Sequence, residues 1–307
     1  MSLFAAFHNA VNRVRQSGSG ALDRVDNMLW RARRKMAFRK NHGHAANLDA
    51  PRSFSEKLFK RILDGHDPQY PVYAIKRFAH HFVRAQHIPG LKVARHLKVV
   101  RHMTPSDFED LPQAFVIKSS FGSGLNEAVT DKSKADIPAL CHRFNTRLPL
   151  VRNARNERDP YNAILFEAFI GDPSSGRPPD DYKFHCFNRQ DGTHTCFIQV
   201  DSARLGEHRQ TLFDAQFNVL DMDFAGQVRH EAVPERPAAL ADMLRIAREL
   251  SSGFDYIRVD LFHTDDGVYF GELTPFHRGG TARILQPEWE ARWGELWDQR
   301  FPDFQPK

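Results

Sequence analysis

At 307 residues, 41% hydrophobic and 11% aromatic, the chain has the composition of an ordinary soluble globular protein and can form one large domain or two to three subdomains. No apolar run approaches the roughly 18 residues of a membrane span, and the first residues lack the pattern of a secretory signal, so the cytoplasm is the expected location. The formal charge of +5 is uneven: residues 1–50 carry nine Lys/Arg against three Asp, a net +6, which leaves −1 on residues 51–307.

The basic segment opens with Leu3, Phe4, Phe7, Val11 and Val14 at helical spacing. Gln16-Ser17-Gly18-Ser19-Gly20 then reads as a flexible joint before a second helix at about 21–40. Within that helix, Met28 to Arg39 interleaves apolar and cationic positions. Such a segment could lie on an anionic membrane surface, meet a polyanion, or pack on the body with a solvated basic face. Ser53 or Ser55 can cap a third helix running to about 64, with Glu56 in its first turn. Val72, Ile75, Phe78, Ala79, Phe82 and Val83 predict a fourth over about 72–87, so residues 1–88 read as mostly helical.

The pattern changes at Pro89-Gly90. Strands are expected at about 92–100 and 114–119, then a helix at 133–147 and a polar loop at 152–160. Further strands follow at 163–169, 181–188, 194–200, 210–213, 256–262 and 268–273, with one strong helix at about 237–252. This is an α+β pattern rich in antiparallel sheet. Cys141, Cys186 and Cys196 are odd in number and show no CxxC spacing, which argues against a disulfide framework or zinc knuckle and for reduced, buried thiols. The 16 His show no HExxH pattern.

Three stretches carry chemistry. Arg258-Val259-Asp260-Leu261-Phe262 and Tyr269-Phe270-Gly271-Glu272-Leu273-Thr274 flank an Asp265-Asp266-Gly267 turn, so Asp260 and Glu272 can face each other across a hairpin. Two converging carboxylates repel unless a cation lies between them, and oxygen-only ligands suit Mg²⁺ bridged to phosphate. Alternating charges on a hairpin also describe a solvated sheet face. Ala114 to Lys118 is an apolar strand ending in a lysine, followed by Ser119-Ser120-Phe121-Gly122-Ser123-Gly124, a small-residue loop whose N–H groups could approach phosphate oxygens. It matches neither GxxxxGK[ST] nor GxGxxG, and a surface hairpin would look similar. Asp181, Lys183 and His185 share one face of an alternating strand, either toward a charged cleft or toward water.

Taken together, Lys118 with its Ser/Gly loop, Glu167, Asp181-Tyr182-Lys183-Phe184, Arg258-Val259-Asp260 and Gly271-Glu272-Leu273-Thr274 resemble the ATP-grasp superfamily. The nearest likeness is to its TupA-like branch, the polysaccharide-associated amidoligases, and it extends over about residues 51–297, beginning with Pro51-Arg52-Ser53-Phe54-Ser55-Glu56-Lys57. The resemblance implies an ATP-grasp fold of two small α+β lobes with antiparallel sheets after a mostly helical N-terminal region. Its divisions would be 1–50, a basic helical extension; 51–105, an N-terminal subdomain; 106–165, a lobe with the phosphate loop; and 166–307, a lobe with the metal site.

The same resemblance implies an ATP- and Mg²⁺-dependent ligase that joins a carboxylate to an amine through an acyl phosphate, the carboxylate belonging to a sugar polymer, its precursor or a small molecule. Lys118, Ser119, Ser120, Gly122, Ser123, Gly124 and Lys183 would serve the phosphates, and Glu167, Ala168, Phe169 and Ile170 the adenine and ribose. Asp260, Glu272 and Thr274 would hold metal, with Arg258 and Lys183 acting on the transferred group. Thr274 stands where many ATP-grasp ligases carry Asn, Phe121 replaces a His common in the branch's loop, and the Asp-Lys-Tyr segment of relatives is degraded at Ile75-Lys76-Arg77. The alternatives are a kinase or non-ligase nucleotide-binding protein on the same fold, or a basic module meeting a membrane or nucleic acid through its first 40–50 residues. On the ligase reading no nucleic-acid partner is expected, and membrane contact through residues 1–40 would be peripheral.

Overall fold

The computed structural model describes residues 21–64, 73, 75–122, 124–151, 162–175, 179–202 and 208–299. The expected first helix, the Gln16–Gly20 joint and the polar loop at 152–160 lie outside them. Six α-helices are present among the described residues: α1 (Ala21–His42), α2 (Phe54–Asp64), α3 (Lys76–Ala85), α4 (Ile137–Arg147), α5 (Leu240–Ser251) and α6 (Pro287–Leu296). Ser53 caps α2: its Oγ accepts from the Glu56 N–H at 3.2 Å, while the Glu56 carboxylate accepts from the N–H groups of Ser53, Arg52 and Asn47. Of the two serines expected to cap, Ser55 lies inside the helix and donates instead to the Ala282 carbonyl.

Ten strands form two sheets. The larger runs in the order β1 (Leu91–Val93), β10 (Gly267–Thr274), β9 (Tyr256–Thr264), β6 (Asp181–Asn188), β7 (His194–Ser202), β8 (Arg209–Phe213). The smaller runs β2 (His96–Val100), β5 (Ile164–Ala168), β3 (Phe115–Ser119), β4 (Asn126–Val129). Every pairing is antiparallel except β1 with β10. The single strand expected at 92–100 is therefore two strands in different sheets, and β5 straddles the expected division at 165. Sheet membership follows pairing between distant segments, which local periodicity does not encode.

Each sheet has its own core. Tyr182, Phe184, Ile198, Val200, Val259 and Leu261 point from the larger sheet onto α5, which contributes Met243, Ile246, Ala247 and Leu250, all essentially inaccessible. Phe115, Ile117, Ile164 and Phe166 pack with Leu140 and Phe144 of α4 under the smaller sheet. A third cluster, including Phe54, Phe187, Tyr256, Trp293 and Trp297, fastens α2 and α6 to the base of β6 and β9. There the buried Arg61 guanidinium pairs with Asp255, donates to the Tyr256 carbonyl at 2.8 Å and lies 4.3 Å from the Trp297 ring centre. Trp297 Nε1 donates to the other Asp255 oxygen at 2.9 Å, so the start of β9 is pinned where its downstream residues enter the site.

Candidate functional site

The β9–β10 hairpin turns on Asp265-Asp266, with Thr264 opposite Gly267. Continued unchanged, that register would set Gly271 opposite Asp260 and turn Glu272 to the far face, because side chains alternate along a strand. A bulge between Phe270 and Glu272 shifts the pairing by one, and Glu272 stands opposite Asp260. Its trace in the sequence is the spacing of the buried residues, Val268 to Phe270 by two and Phe270 to Leu273 by three. A Cβ at Gly271 would lie 2.9 Å from the Asp260 carbonyl oxygen and 3.0 Å from the Phe262 ring, so the close approach requires glycine.

Asp260 also lies opposite Lys183 on β6, and Arg258 lies opposite Thr274 and His185. The polar face of the larger sheet thus collects most of the expected catalytic and metal-binding side chains. Arg258, 8% exposed, grips Asp260 through Nε and Nη2 at 2.6 Å each, and also donates to Thr274 Oγ1 at 3.0 Å. Its Nη1 lies 2.8 Å from His277 Nδ1. Burial depresses the His277 pKa, so its neutral ring accepts from the guanidinium. Burial also pushes the Asp260 carboxyl pKa upward; Arg258 opposes this, and nearby Asp181 adds to it. Lys183 is buried between Asp181 and Asp201, 2.6 Å from the Asp201 carboxylate. That ammonium is held by two carboxylates, with Gln199 and Gln210 donating to the other Asp201 oxygen.

On the smaller sheet Lys118 Nζ lies 2.7 Å from Glu167 Oε2. Glu167 is 1% exposed and sits within β5, its other oxygen 3.4 Å from His96 Nε2 and 3.7 Å from His80 Nε2. Lys118 and the two rings hold its pKa well below the usual carboxylate range despite burial. Its carboxylate is therefore engaged with Lys118, and Ala168, Phe169 and Ile170 form the open segment beyond it. Ser119 and Ser120 are buried: Ser119 Oγ donates to the Phe121 carbonyl at 2.7 Å, and Ser120 Oγ bridges Asn162 and the Ala163 N–H. They shape the loop from within. Gly122 and Gly124 take φ of 68° and 85°, and Ser123 lies outside the described residues.

The two sheets face each other across a cleft. One part is lined by Lys118, Gly124 and Asn126 from the smaller sheet and its loop, and by Arg258, Asp260 and Glu272 from the larger. The adjoining part is lined by Val116, Lys118 and Glu167 to Ile170, closed by Pro179 and Phe262. Lys183, Thr274, Ser119 and Ser120 are not on these walls. Lys76, which sequence reading left outside the phosphate motifs, lines the cleft. It is the first residue of α3; its N–H donates to the Ser120 carbonyl at 2.9 Å and its Nζ to the Gly122 carbonyl at 2.7 Å. Burial lowers its pKa, and Glu272 offsets part of that. Asp181 lines the same cleft. Lys76 keeps the lysine of the otherwise degraded Asp-Lys-Tyr segment, but its place in the cleft was not legible, because its partners are loop carbonyls more than forty residues away.

The donor set fits a hard divalent cation. Asp260 and Glu272 stand opposite each other on adjacent strands and both line the cleft, so two carboxylates are available to one ion. Lys76 and Lys118 across the cleft are cations suited to phosphate oxygens, and the 168–170 segment lines a partly apolar slot.

Two α+β lobes closing on a cleft with these groups define an ATP-grasp fold. The family model described as TupA-like ATPgrasp matches residues 56–297, and the chain belongs to that family. Among solved structures it is similar to the D-alanine-D-alanine ligase of Helicobacter pylori, at 16% identity and TM-score 0.41 over 68% of this chain and 56% of that one. It is also similar to the carboxyaminoimidazole ribonucleotide synthase of Aspergillus clavatus complexed with ATP, at 13% identity and TM-score 0.41 over 66% and 45%. The D-alanine–D-alanine ligase of Bacillus anthracis complexed with ATP matches at 15% identity and TM-score 0.39 over 67% and 55%. The chain spans about half the length of these structures. A search of curated proteins found no match.

Proposed function

We propose that the chain is an ATP- and Mg²⁺-dependent ligase that acts through an acyl phosphate and joins an amino acid or other amine to a carboxylate, sugar-linked or of a small molecule. The observation that carries this reading is the convergence in one cleft of two facing carboxylates, Asp260 and Glu272, with Arg258, Lys76 and Lys118. Lys118 and Lys76 bind the phosphate chain, Lys118 oriented by Glu167 and Lys76 by the Gly122 carbonyl. Ala168 to Ile170 offer backbone groups to a purine edge. Asp260 and Glu272 would hold the metal, whose charge would offset that of the phosphate oxygens. Arg258, fixed by Asp260, Thr274 and His277, stabilises the phosphoryl group in transit.

A substrate carboxylate oxygen attacks the γ-phosphorus and ADP leaves. The amine nitrogen then attacks the acyl carbon, phosphate departs, and the nitrogen gives up a proton to leave an amide. The supporting test is a panel of carboxylates and amines screened for phosphate release with Mg²⁺ and ATP. Release that requires both a carboxylate and an amine, with amide product, is expected. Phosphorylation of one substrate that is indifferent to any amine would instead make the chain a kinase.

A further inference from the structure

The basic N-terminal helix has two faces, and the structure separates them. One face is fixed to the body. Phe38 stacks on Phe59 at 4.8 Å, Trp30 packs beside them, Arg31 pairs with Asp64 at 3.5 Å, and Arg34 donates to the Gly279 carbonyl. At about 100° per residue, these positions fall on one side of the helix.

The remaining side is exposed and unlike an ordinary solvated face. Met28, Leu29 and Met36 are 62%, 45% and 67% exposed on it, Met36 and Leu29 near its middle and Met28 toward one edge. Lys35 lies beyond Met28 at that edge, Arg39 between Met28 and Met36, and Lys40 and Arg33 at the other edge, all exposed, and the set spans roughly 160° of the circumference. No acidic residue occurs between Asn27 and Leu48. A solvated helix normally alternates charge sign and keeps methionine and leucine inside. A strip of flexible apolar side chains bordered by cations on long stems suits a lipid interface: the apolar groups enter the acyl boundary while the cations reach anionic headgroups.

We infer that α1 docks the protein on an anionic membrane surface through Met28, Leu29 and Met36 and their flanking cations. The exposed apolar strip favours lipid over nucleic acid, whose phosphates would need the cations alone. Docking also orients the site, because Arg34 joins the helix to the 277–280 turn, and His277 of that turn holds Arg258.

The test is co-sedimentation of the full chain with phosphatidylcholine vesicles with and without phosphatidylglycerol. Binding should require the anionic lipid and weaken with salt. Reversing Arg33, Lys35, Arg39 and Lys40 to Glu should lower it by about tenfold or more, and Met28→Ser with Met36→Ser should lower it while leaving the charge intact. Circular dichroism melting checks that the variants stay folded, and nucleotide binding in solution should persist in both. Equal binding to neutral and anionic vesicles, or undiminished binding after charge reversal, would overturn the inference. Binding of an oligonucleotide but not of vesicles would overturn it in favour of a nucleic-acid face. Because vesicle binding is read without turnover, its failure is separable from failure of the ligase reading.

Discussion

At the scale of single residues, the legible part of the site was the part written as charges inside apolar strands. Arg258, Asp260 and Glu272 each interrupt a hydrophobic run and Lys118 ends one, and a buried charge demands a partner. His277 and Asp201 were not legible, since each acquires meaning from a group on another element, Arg258 and Lys183, and Lys76 reads only as part of a degraded segment until the Gly122 carbonyl meets it. His185 belongs with them. It is fully buried, its Nδ1 3.0 Å from the Tyr256 hydroxyl and its Nε2 3.0 Å from Gln199 Oε1, and burial, with Arg258 adding to it, pushes its pKa down from 6.5 to about 3. A folded-state pKa below the unfolded value means that the unfolded chain binds the extra proton first. The contribution of His185 to stability is thus intact above about pH 6.5 and lost as the pH falls from there toward about 3. The loss is at most about 1.4 kcal/mol per pH unit. His185→Gln should flatten the decline in urea stability between about pH 7.5 and about pH 5; an unchanged slope would place the acid sensitivity elsewhere, with the buried His80 the next group to examine.

At the scale of elements, helices and strands with strong periodicity fall where their patterns place them, as α2, β3 and β6 show. Two kinds of feature escape. The first is α6, to which the sequence pattern assigns no element: Trp293 within it and Trp297 just past its end meet Phe54 and Tyr256. The second is the bulge in β10, which no single residue type announces although it decides which way Glu272 points. Gly271→Ala tests that link. The added methyl meets the Asp260 carbonyl oxygen at 2.9 Å, so the hairpin must open or the bulge must move. A loss of about 1–3 kcal/mol in stability is expected, together with a fall in Mg²⁺-dependent nucleotide binding larger than the unfolded fraction explains. A variant as stable and as active as the parent would show that the register of β10 is not set by this contact.

At the scale of the whole molecule, the two sheets with separate cores bring Asp260 and Glu272 of one to the same cleft as Lys118 of the other, with Lys76 added from α3. The motif series carried this organisation by resemblance, but the assignment of β1 and β2 to opposite sheets comes only from long-range pairing. Among the described residues no helix is long and apolar enough to cross a membrane. The cleft itself is the central claim, and calorimetric titration of ATP with and without Mg²⁺ tests it most directly. For Asp260→Asn and Glu272→Gln, each folded by circular dichroism, the Mg²⁺-dependent part of the ATP affinity should fall by about tenfold or more. Wild-type Mg²⁺-dependent affinity in both variants would contradict the account.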